Sequence, residues 1–408
     1  MQTFDCVILS GGGAKGAYSA GVSKALFEYR KLKGINTQQC FIGTSSGALN
    51  ACIIAALGED ELLNFWRTKV TNHTILGARV VNATFQFARK AMTRPISALL
   101  GKPFAVYPGA TSCLRKLIDE AIPTTPGINQ NPAQESLFTT LADKHVIFAA
   151  TNYTTGSLRS FYISSLFDKF VQADAQLPLS QRRLSHCKII GDQQHLTNCL
   201  LASSAVPVFF PPVPMDGDLY IDGGVGNNTP TREAAYFMRF LEQHHLGAAG
   251  HVYCVKQDTP QIILQGQAKL GLTDVLKRTL EVDQYVHMEP IISNWENINN
   301  ELNRLYKRAG DFHAWLSTLS LAPAMANQIS QKVYDDVCRL GGPTKRLELP
   351  ITIIQPTHSL GDTLDFNPTG IERNIRLGYQ DLLRTLYNQS HLNKAQYDGP
   401  LGLANKKI

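Results

Sequence analysis

Long apolar runs, a leader segment and paired cysteines are all missing from this 408-residue sequence. Its longest uncharged run, Gly34 to Gly58, is interrupted by Asn36, Thr37, Gln38, Gln39, Thr44, Ser45, Ser46 and Asn50. It therefore reads as a buried strand and helix, not as a membrane span. Met1-Gln2-Thr3-Phe4-Asp5 has no basic start, and the apolar run Cys6 to Leu9 is too short for a signal peptide. The chain is expected to fold in a cytosol (cytoplasmic), with a peripheral place at membranes and export without a signal peptide both left open. The eight cysteines include no CxxC pair. Cys6, Cys40, Cys52 and Cys254 lie inside apolar runs and read as reduced, buried thiols. His195 and Cys199 fall on one prospective helix face, but a single such pair does not make a metal site. Neither a metal nor a cofactor is expected.

Acidic residues are absent from Leu62 to Ile118. The same stretch holds nine basic residues: Arg67, Lys69, Arg79, Arg89, Lys90, Arg94, Lys102, Arg115 and Lys116. Without those nine, 30 of the 39 Lys and Arg remain against 33 Asp and Glu, so the net charge of +6 resides in this one segment. Phe85, Phe87, Met92, Ile96, Leu99, Leu100 and Phe104 are interleaved with the cations. Such a surface can lie on an anionic bilayer, at about 1 kcal/mol per basic residue near the membrane. An ordinary helical cover with solvated basic side chains explains the same pattern. No nucleic-acid-binding motif is present, and no nucleic-acid partner is expected.

The rest of the composition, 44% hydrophobic and 18% charged, is that of a globular chain. Cys6-Val7-Ile8-Leu9 suits a buried strand ending in glycines. Tyr18, Val22, Ala25, Leu26 and Tyr29 then share one helical face. A second short strand, Cys40-Phe41-Ile42, stops at Gly43, and Ala48, Leu49, Cys52, Ile53 and Ala56 form the next helical face. Strand, helix, strand, helix at this spacing argues for an α/β sheet covered by helices. Further strands are expected at Val146 to Ala149, Phe161 to Ile163, Leu219 to Ile221, Val252 to Val255 and Ile351 to Ile354. Pro368 opens a helix with Ile371, Ile375, Tyr379, Leu382, Leu383 and Leu386 on one face. A polar helical insertion is expected at about 266–340 and a loose tail at 389–408.

Three local patterns carry chemistry. Gly43-Thr44-Ser45-Ser46-Gly47 is a G-x-S-x-G between a strand and a helix. Small residues two before and two after a serine permit the sharp turn that exposes a nucleophilic hydroxyl. The helix that follows directs its positive end at the site. Gly11-Gly12-Gly13-Ala14-Lys15-Gly16 is also between a strand and a helix. Consecutive glycines can turn backbone N–H groups toward one point, a cradle suited to an oxyanion. Lys15 at a helix start opposes the dipole, which predicts an anion or a carboxylate partner nearby. A solvated surface lysine is the plainer alternative. Leu219-Tyr220-Ile221-Asp222-Gly223-Gly224 ends an apolar strand in an acid before two glycines. That places Asp222 to face a site, although Asp-Gly also makes ordinary turns.

The glycines also satisfy G-x-G-x-x-G, the dinucleotide fingerprint. The acidic residue that the fingerprint requires near the end of the second strand is lacking between Lys31 and Cys40. A Walker loop is excluded because Gly16, not Ser or Thr, follows Lys15. A Ser-His-Asp triad would need a histidine, but His251, His287, His313 and His358 stand in no recognisable turn context. Only one strand precedes the serine strand, too few for an ordinary α/β-hydrolase. A Ser45–Asp222 pair needs fewer assumptions, provided that the site desolvates the carboxylate into a useful base.

In these residues the chain resembles the patatin-like phospholipases. The glycine-rich stretch, the serine elbow, Ala202-Ser203-Ser204-Ala205-Val206-Pro207-Val208-Phe209-Phe210-Pro211-Pro212, and Asp222-Gly223-Gly224 with Asn227, Asn228 and Pro230 stand in the family's order. The resemblance implies a three-layer α/β/α sandwich of patatin type with a central, mostly parallel sheet and helical insertions. It implies one catalytic domain over 1–388, with core motifs in 4–231 and the basic cover at about 62–118. By resemblance Ser45 is the nucleophile, Asp222 the general base, and Gly11, Gly12 and Gly13 the oxyanion hole, supported by Lys15, Gly43, Gly47, Gly223 and Gly224. The implied activity is acyl-ester hydrolysis of phospholipids or related lipids through an acyl-enzyme, without a metal. The implied partner is a lipid substrate; the charge of the basic segment, which lies outside the family's motifs, separately suggests an anionic membrane surface through Arg79, Arg89, Lys90 and Arg94. The rival reading is a catalytically inert lipid- or nucleotide-binding module on the same fold.

Overall fold

The computed structural model describes residues 2–77, 107–121, 136–166, 187–259 and 349–398, with scattered positions between 105 and 178 and between 297 and 329. Arg79, Arg89, Lys90, Arg94 and Lys102, and most of the expected 266–340 insertion, lie outside the described residues.

Strand β1 (Thr3–Leu9) is buried from Phe4 onward. Its side chains divide between two cores, with Cys6 and Ile8 on one face and Val7 and Leu9 on the other. A strand apolar on both faces requires cover on both faces, and that is the arrangement of the parallel sheet here. The other strands are β2 (Gln38–Thr44), β3 (His145–Asn152), β4 (Ser157–Ser164), β5 (Cys187–Ile189), β6 (Val213–Met215), β7 (Asp218–Asp222), β8 (Ala248–Val255) and β9 (Ile351–Ile354). Their order across the sheet is β5-β4-β3-β2-β1-β8-β9, with β7 beside β3 and β6 beside β7. From β3 through β9 the neighbours on this path are parallel. The pairs β3–β4, β3–β7 and β6–β7 are antiparallel.

Helices α1 (Gly16–Lys33), α2 (Ser46–Leu57), α3 (Glu59–Thr68), α4 (Gln193–Ser203) and α6 (Pro368–Asn388) share one core with Val7, Leu9, Phe41 and Phe148. Helix α5 (Thr231–Gln243) covers the opposite face, packing Phe237, Met238 and Leu241 against Cys6, Ile8 and Ile42. The result is a three-layer α/β/α sandwich with a mostly parallel central sheet. Helix α6 lies directly on α1. A Cβ on Gly378 would come within 2.0 Å of the Tyr18 carbonyl oxygen, and one on Gly21 within 1.9 Å of that of Ile375. Asn367 caps α6 by accepting a hydrogen bond from Gly370 N–H at 2.7 Å, and Pro368 takes a first-turn position that needs no N–H.

Two sequence expectations are corrected. Residues after Gln389 are not a loose tail as far as 398: Leu392 is buried, a short helix spans Lys394–Asp398, and Tyr397 packs its ring 4.9 Å from that of Tyr387. The strands β5 and β6, three residues each, were not among the expected strands.

Registers set where chemistry can occur. Leu9 lies level with Gly43 and with Val255, and Thr44 with Ala149. The loops leaving β1, β2 and β8 therefore open at one carboxyl edge of the sheet, the usual ligand edge of parallel α/β folds. β7 runs the other way and ends there too, with Asp222 beside Ala150. At the amino end of the sheet a buried ion pair joins Asp5 and Arg30. Asp5 also accepts from Thr37 Oγ1 at 2.5 Å and from the His251 N–H at 2.8 Å.

Candidate active site

Ser45 leaves β2 with φ 55° and ψ −125°, and α2 begins at the next residue. A left-handed backbone at a residue with a Cβ costs about 1–3 kcal/mol and persists only where the surroundings enforce it. The flanking glycines make the turn possible. A Cβ on Gly43 would lie 2.2 Å from the Gly47 carbonyl oxygen, and one on Gly47 would lie 2.0 Å from that of Leu9. The helix can thus start hard against β1, with the serine held above its first turn. Ala48 N–H closes the turn on the Ser45 carbonyl at 2.9 Å.

Asp222 ends β7 and is 5% exposed. Its Oδ1 accepts a 2.6 Å hydrogen bond from the Gly224 N–H. Burial drives its carboxyl up to about 6, against the Ser45 hydroxyl and the Gly224 N–H, which favour the anion. Oδ2 has no close hydrogen-bond partner, so the contact with Ser45 is a loose one. The backbone around it is pinned: Asp222 N–H donates to Ala205 O at 2.9 Å, Gly223 N–H to Ser203 O at 3.2 Å, and Thr151 Oγ1 to Asp222 O at 3.0 Å.

The glycine stretch forms the third wall. Gly11 and Asn228 clasp each other, with the Gly11 N–H donating to Asn228 O and Asn228 Nδ2 to Gly11 O, each at 3.2 Å. The Ala14 N–H donates to Thr363 O at 2.8 Å, and the Lys15 N–H to Gly12 O at 3.1 Å. The N–H groups of Gly12 and Gly13, between these anchors, donate to nothing among the described residues. Gln257 lies beneath the loop, its Nε2 donating to Ser10 O at 2.7 Å and to Ser19 Oγ at 3.1 Å. Lys15 is buried rather than solvated and pairs with Asp258 at 3.4 Å, which supplies the expected carboxylate.

These groups line one pocket with about 650 Å³ of empty space, open mouth included. Its walls hold Gly11, Gly12, Gly13, Lys15, Ser45, Asp222, Asn228 and Asp258, and the apolar side chains Val206, Pro207, Phe209, Val225 and Leu364. Gly43 and Gly47 underlie the turn, and Gly223 and Gly224 follow Asp222. Among the described residues no histidine lines the pocket. His251 shares a hydrogen bond with Thr352 at 2.8 Å and His358 one with Thr357 at 3.0 Å, while His287 and His313 lie outside the described residues. No cluster of three metal-ligating side chains occurs among the described residues. Gln257 and Thr363 were not singled out from the sequence, and Ser203 only as one residue of the Ala202–Pro212 block, because their roles come from contacts with chain segments far away in the numbering.

A family model described as Patatin-like phospholipase matches residues 7–235. No curated protein sequence matches the chain. Among solved structures, the crystal structure of VipD from Legionella pneumophila aligns at 15% identity with a TM-score of 0.37, over 95% of this chain and 67% of that one, a likeness too remote to bear on the site. The matched segment spans more than half of the chain and holds the serine turn and the Asp222 strand: the chain belongs to the patatin-like phospholipase family.

Proposed function

We propose that this protein is a serine acyl hydrolase that cleaves acyl esters of phospholipids or related lipids, in the manner of a phospholipase A or lysophospholipase. One observation carries the reading. Ser45, on a strained strand-to-helix turn, shares a pocket with a buried carboxyl raised to about 6 and with two unengaged backbone N–H groups. Family membership supports lipid acyl hydrolysis in general.

In the proposed reaction the Asp222 carboxylate takes the Ser45 proton as Oγ attacks the acyl carbonyl carbon. The carbonyl oxygen becomes an oxyanion facing the Gly12 and Gly13 N–H groups; Gly11, expected with them in the oxyanion hole, has its N–H committed to Asn228 O and serves instead as their anchor. Collapse breaks the ester bond. The departing alkoxide takes the proton from Asp222 and leaves as an alcohol or lysolipid. Water then attacks the acyl-enzyme, Asp222 receives its proton, and a fatty acid is released as Ser45 recovers its hydrogen. The apolar wall from Val206 to Phe209, with Val225 and Leu364, suits an acyl chain.

Fluorophosphonate labelling tests the reading directly. The wild-type chain should label at Ser45 and Ser45→Ala should not. Absence of labelling, with or without lipid vesicles, would leave an inert lipid- or nucleotide-binding module in its place. Among the described residues no helix is long and apolar enough to cross a membrane. Contact with a bilayer is proposed through the basic 62–118 segment, by way of Arg79, Arg89, Lys90 and Arg94, because the chain's net positive charge resides there. Pelleting with anionic vesicles should weaken as salt screens the charge, and equal binding to neutral vesicles would remove this part alone.

A further inference from the structure

Ser203 is fully buried at the end of α4 and lines no part of the pocket, yet its hydroxyl meets the backbone of the serine turn. The Ser45 N–H donates to Ser203 Oγ at 2.9 Å, and Ser203 Oγ donates to the Ala149 carbonyl oxygen at 2.6 Å. An N–H can only donate and a carbonyl can only accept, so both hydrogen bonds of this hydroxyl are fixed in direction. The same residue reaches the strand that carries the carboxylate, because its carbonyl oxygen accepts the Gly223 N–H at 3.2 Å. Two residues on, Ala205 O accepts the Asp222 N–H.

We infer that Ser203 is a positioning residue for the reaction, setting the separation of the Ser45 hydroxyl and the Asp222 carboxylate by hydrogen-bonding the backbone of both strands. The inference rests on the Ser45–Asp222 reading above. Ser45 follows β2 and Asp222 ends β7, two strands that do not pair with each other; β3 stands between them and pairs with both. Through Ala149, Ser203 fastens the serine turn to that intervening strand. Removing its hydroxyl takes this acceptor from the buried Ser45 N–H and this donor from Ala149 O. The left-handed turn at Ser45 then loses one of the contacts that hold it. A displacement of about 1 Å at a reacting atom can cost about a hundredfold in rate.

The test uses the full chain with Ser203→Ala, Ser203→Cys and, as a stability control, Leu241→Val in the core on the opposite face of the sheet. Turnover of a short-chain acyl ester, the rate of fluorophosphonate labelling and the melting temperature are read for each. Ser203→Ala should lower kcat about 10- to 100-fold with KM within about twofold, and slow labelling in parallel. Ser203→Cys, which keeps a small and weaker donor, should recover part of the loss. Leu241→Val should lose a comparable few degrees of melting temperature and keep kcat within about twofold. Ser203→Ala with kcat within about threefold of wild type, or a loss no greater than that of Leu241→Val, would overturn the inference. If Ser203→Ala does not fold, Ser203→Gly, which also lacks the hydroxyl, is held to the same threshold. A wild-type chain inert to both probe and ester overturns this inference together with the function; an active wild type with an unimpaired Ser203→Ala overturns this inference alone.

Discussion

Gly43 and Gly47 stand back to back beneath the serine turn, so close that a methyl group on Gly43 would lie 2.2 Å from the Gly47 carbonyl oxygen. On its other side Gly47 meets β1: its own Cβ would sit 2.0 Å from Leu9 O and 2.7 Å from Ser10 O. Both obstacles are backbone and cannot rotate away. Gly47→Ala is therefore expected to cost at least about 1–3 kcal/mol through overpacking and to abolish fluorophosphonate labelling. A thermal melt read beside labelling checks this, and a variant as stable and reactive as wild type would show that the turn has slack.

Asp222 couples activity to stability. Its carboxyl titrates near 6, so hydrolysis should rise with pH through about 6 as the base form fills. The stability effect has the opposite sign. A folded-state pKa raised above the unfolded value means that the folded chain binds the proton more tightly between about 4 and 6, so stability falls as pH rises through that window. A rise of about two units corresponds to about 3 kcal/mol. Asp222→Asn should therefore be inactive yet melt higher than wild type at pH 8, with the difference closing below pH 4. An inactive variant that melts lower at pH 8 would contradict the assigned burial cost.

Two histidines tilt the balance the other way. His145, against Phe4 and hydrogen-bonded to Ser164 Oγ at 2.7 Å, and His251 are both pushed down to about 4 by burial. The unfolded chain protonates them near 6.5 while the folded chain resists, so stability is lost as pH falls from about 6.5 toward 4. His145→Gln and His251→Gln should each flatten the decline in melting temperature between pH 7 and pH 4.5. A decline of unchanged steepness in the double variant would place its origin elsewhere.

Asp5 offers a separation of fold from chemistry. It holds the buried Arg30 guanidinium, Thr37 and the His251 N–H at the end of the sheet away from Ser45. Asp5→Ala strands a buried cation and is expected to cost about 3–5 kcal/mol. Well below its melting point the variant should keep wild-type kcat. A large fall in kcat in the folded variant would mean that the two ends of β1 are coupled.

Some of this arrangement is written locally. Ile351–Ile354 is a strand by its β-branched run, and α6 announces itself through Asn367, Pro368 and a repeating apolar face. The Ser45 turn and the glycine stretch are legible because special backbone geometry demands glycine at fixed spacing. By contrast, β5 and β6 offer three residues each, too few for a period, and Pro214 within β6 argues against a strand unless it lies at an edge. The reversal of β7 against β3, which brings Asp222 to the serine, leaves no local mark, since strand direction is set by tertiary pairing. Ser203 and Gln257 act across long stretches of chain, and a buried serine or glutamine in the sequence resembles any other. The carboxylate partner expected for Lys15 could be anticipated from the helix dipole, but not its identity as Asp258.

The glycine loop near the start of the chain is closed by residues near its end: the Ala14 N–H rests on Thr363 O, Leu364 completes the pocket wall, and α6 clamps α1. On the ribosome Ser45 emerges well before these residues, and the chamber around it stays unfinished until they follow. A premature stop or a proteolytic cut before Thr363 would yield a fragment that keeps the Ser45 turn and lacks the far wall of its pocket.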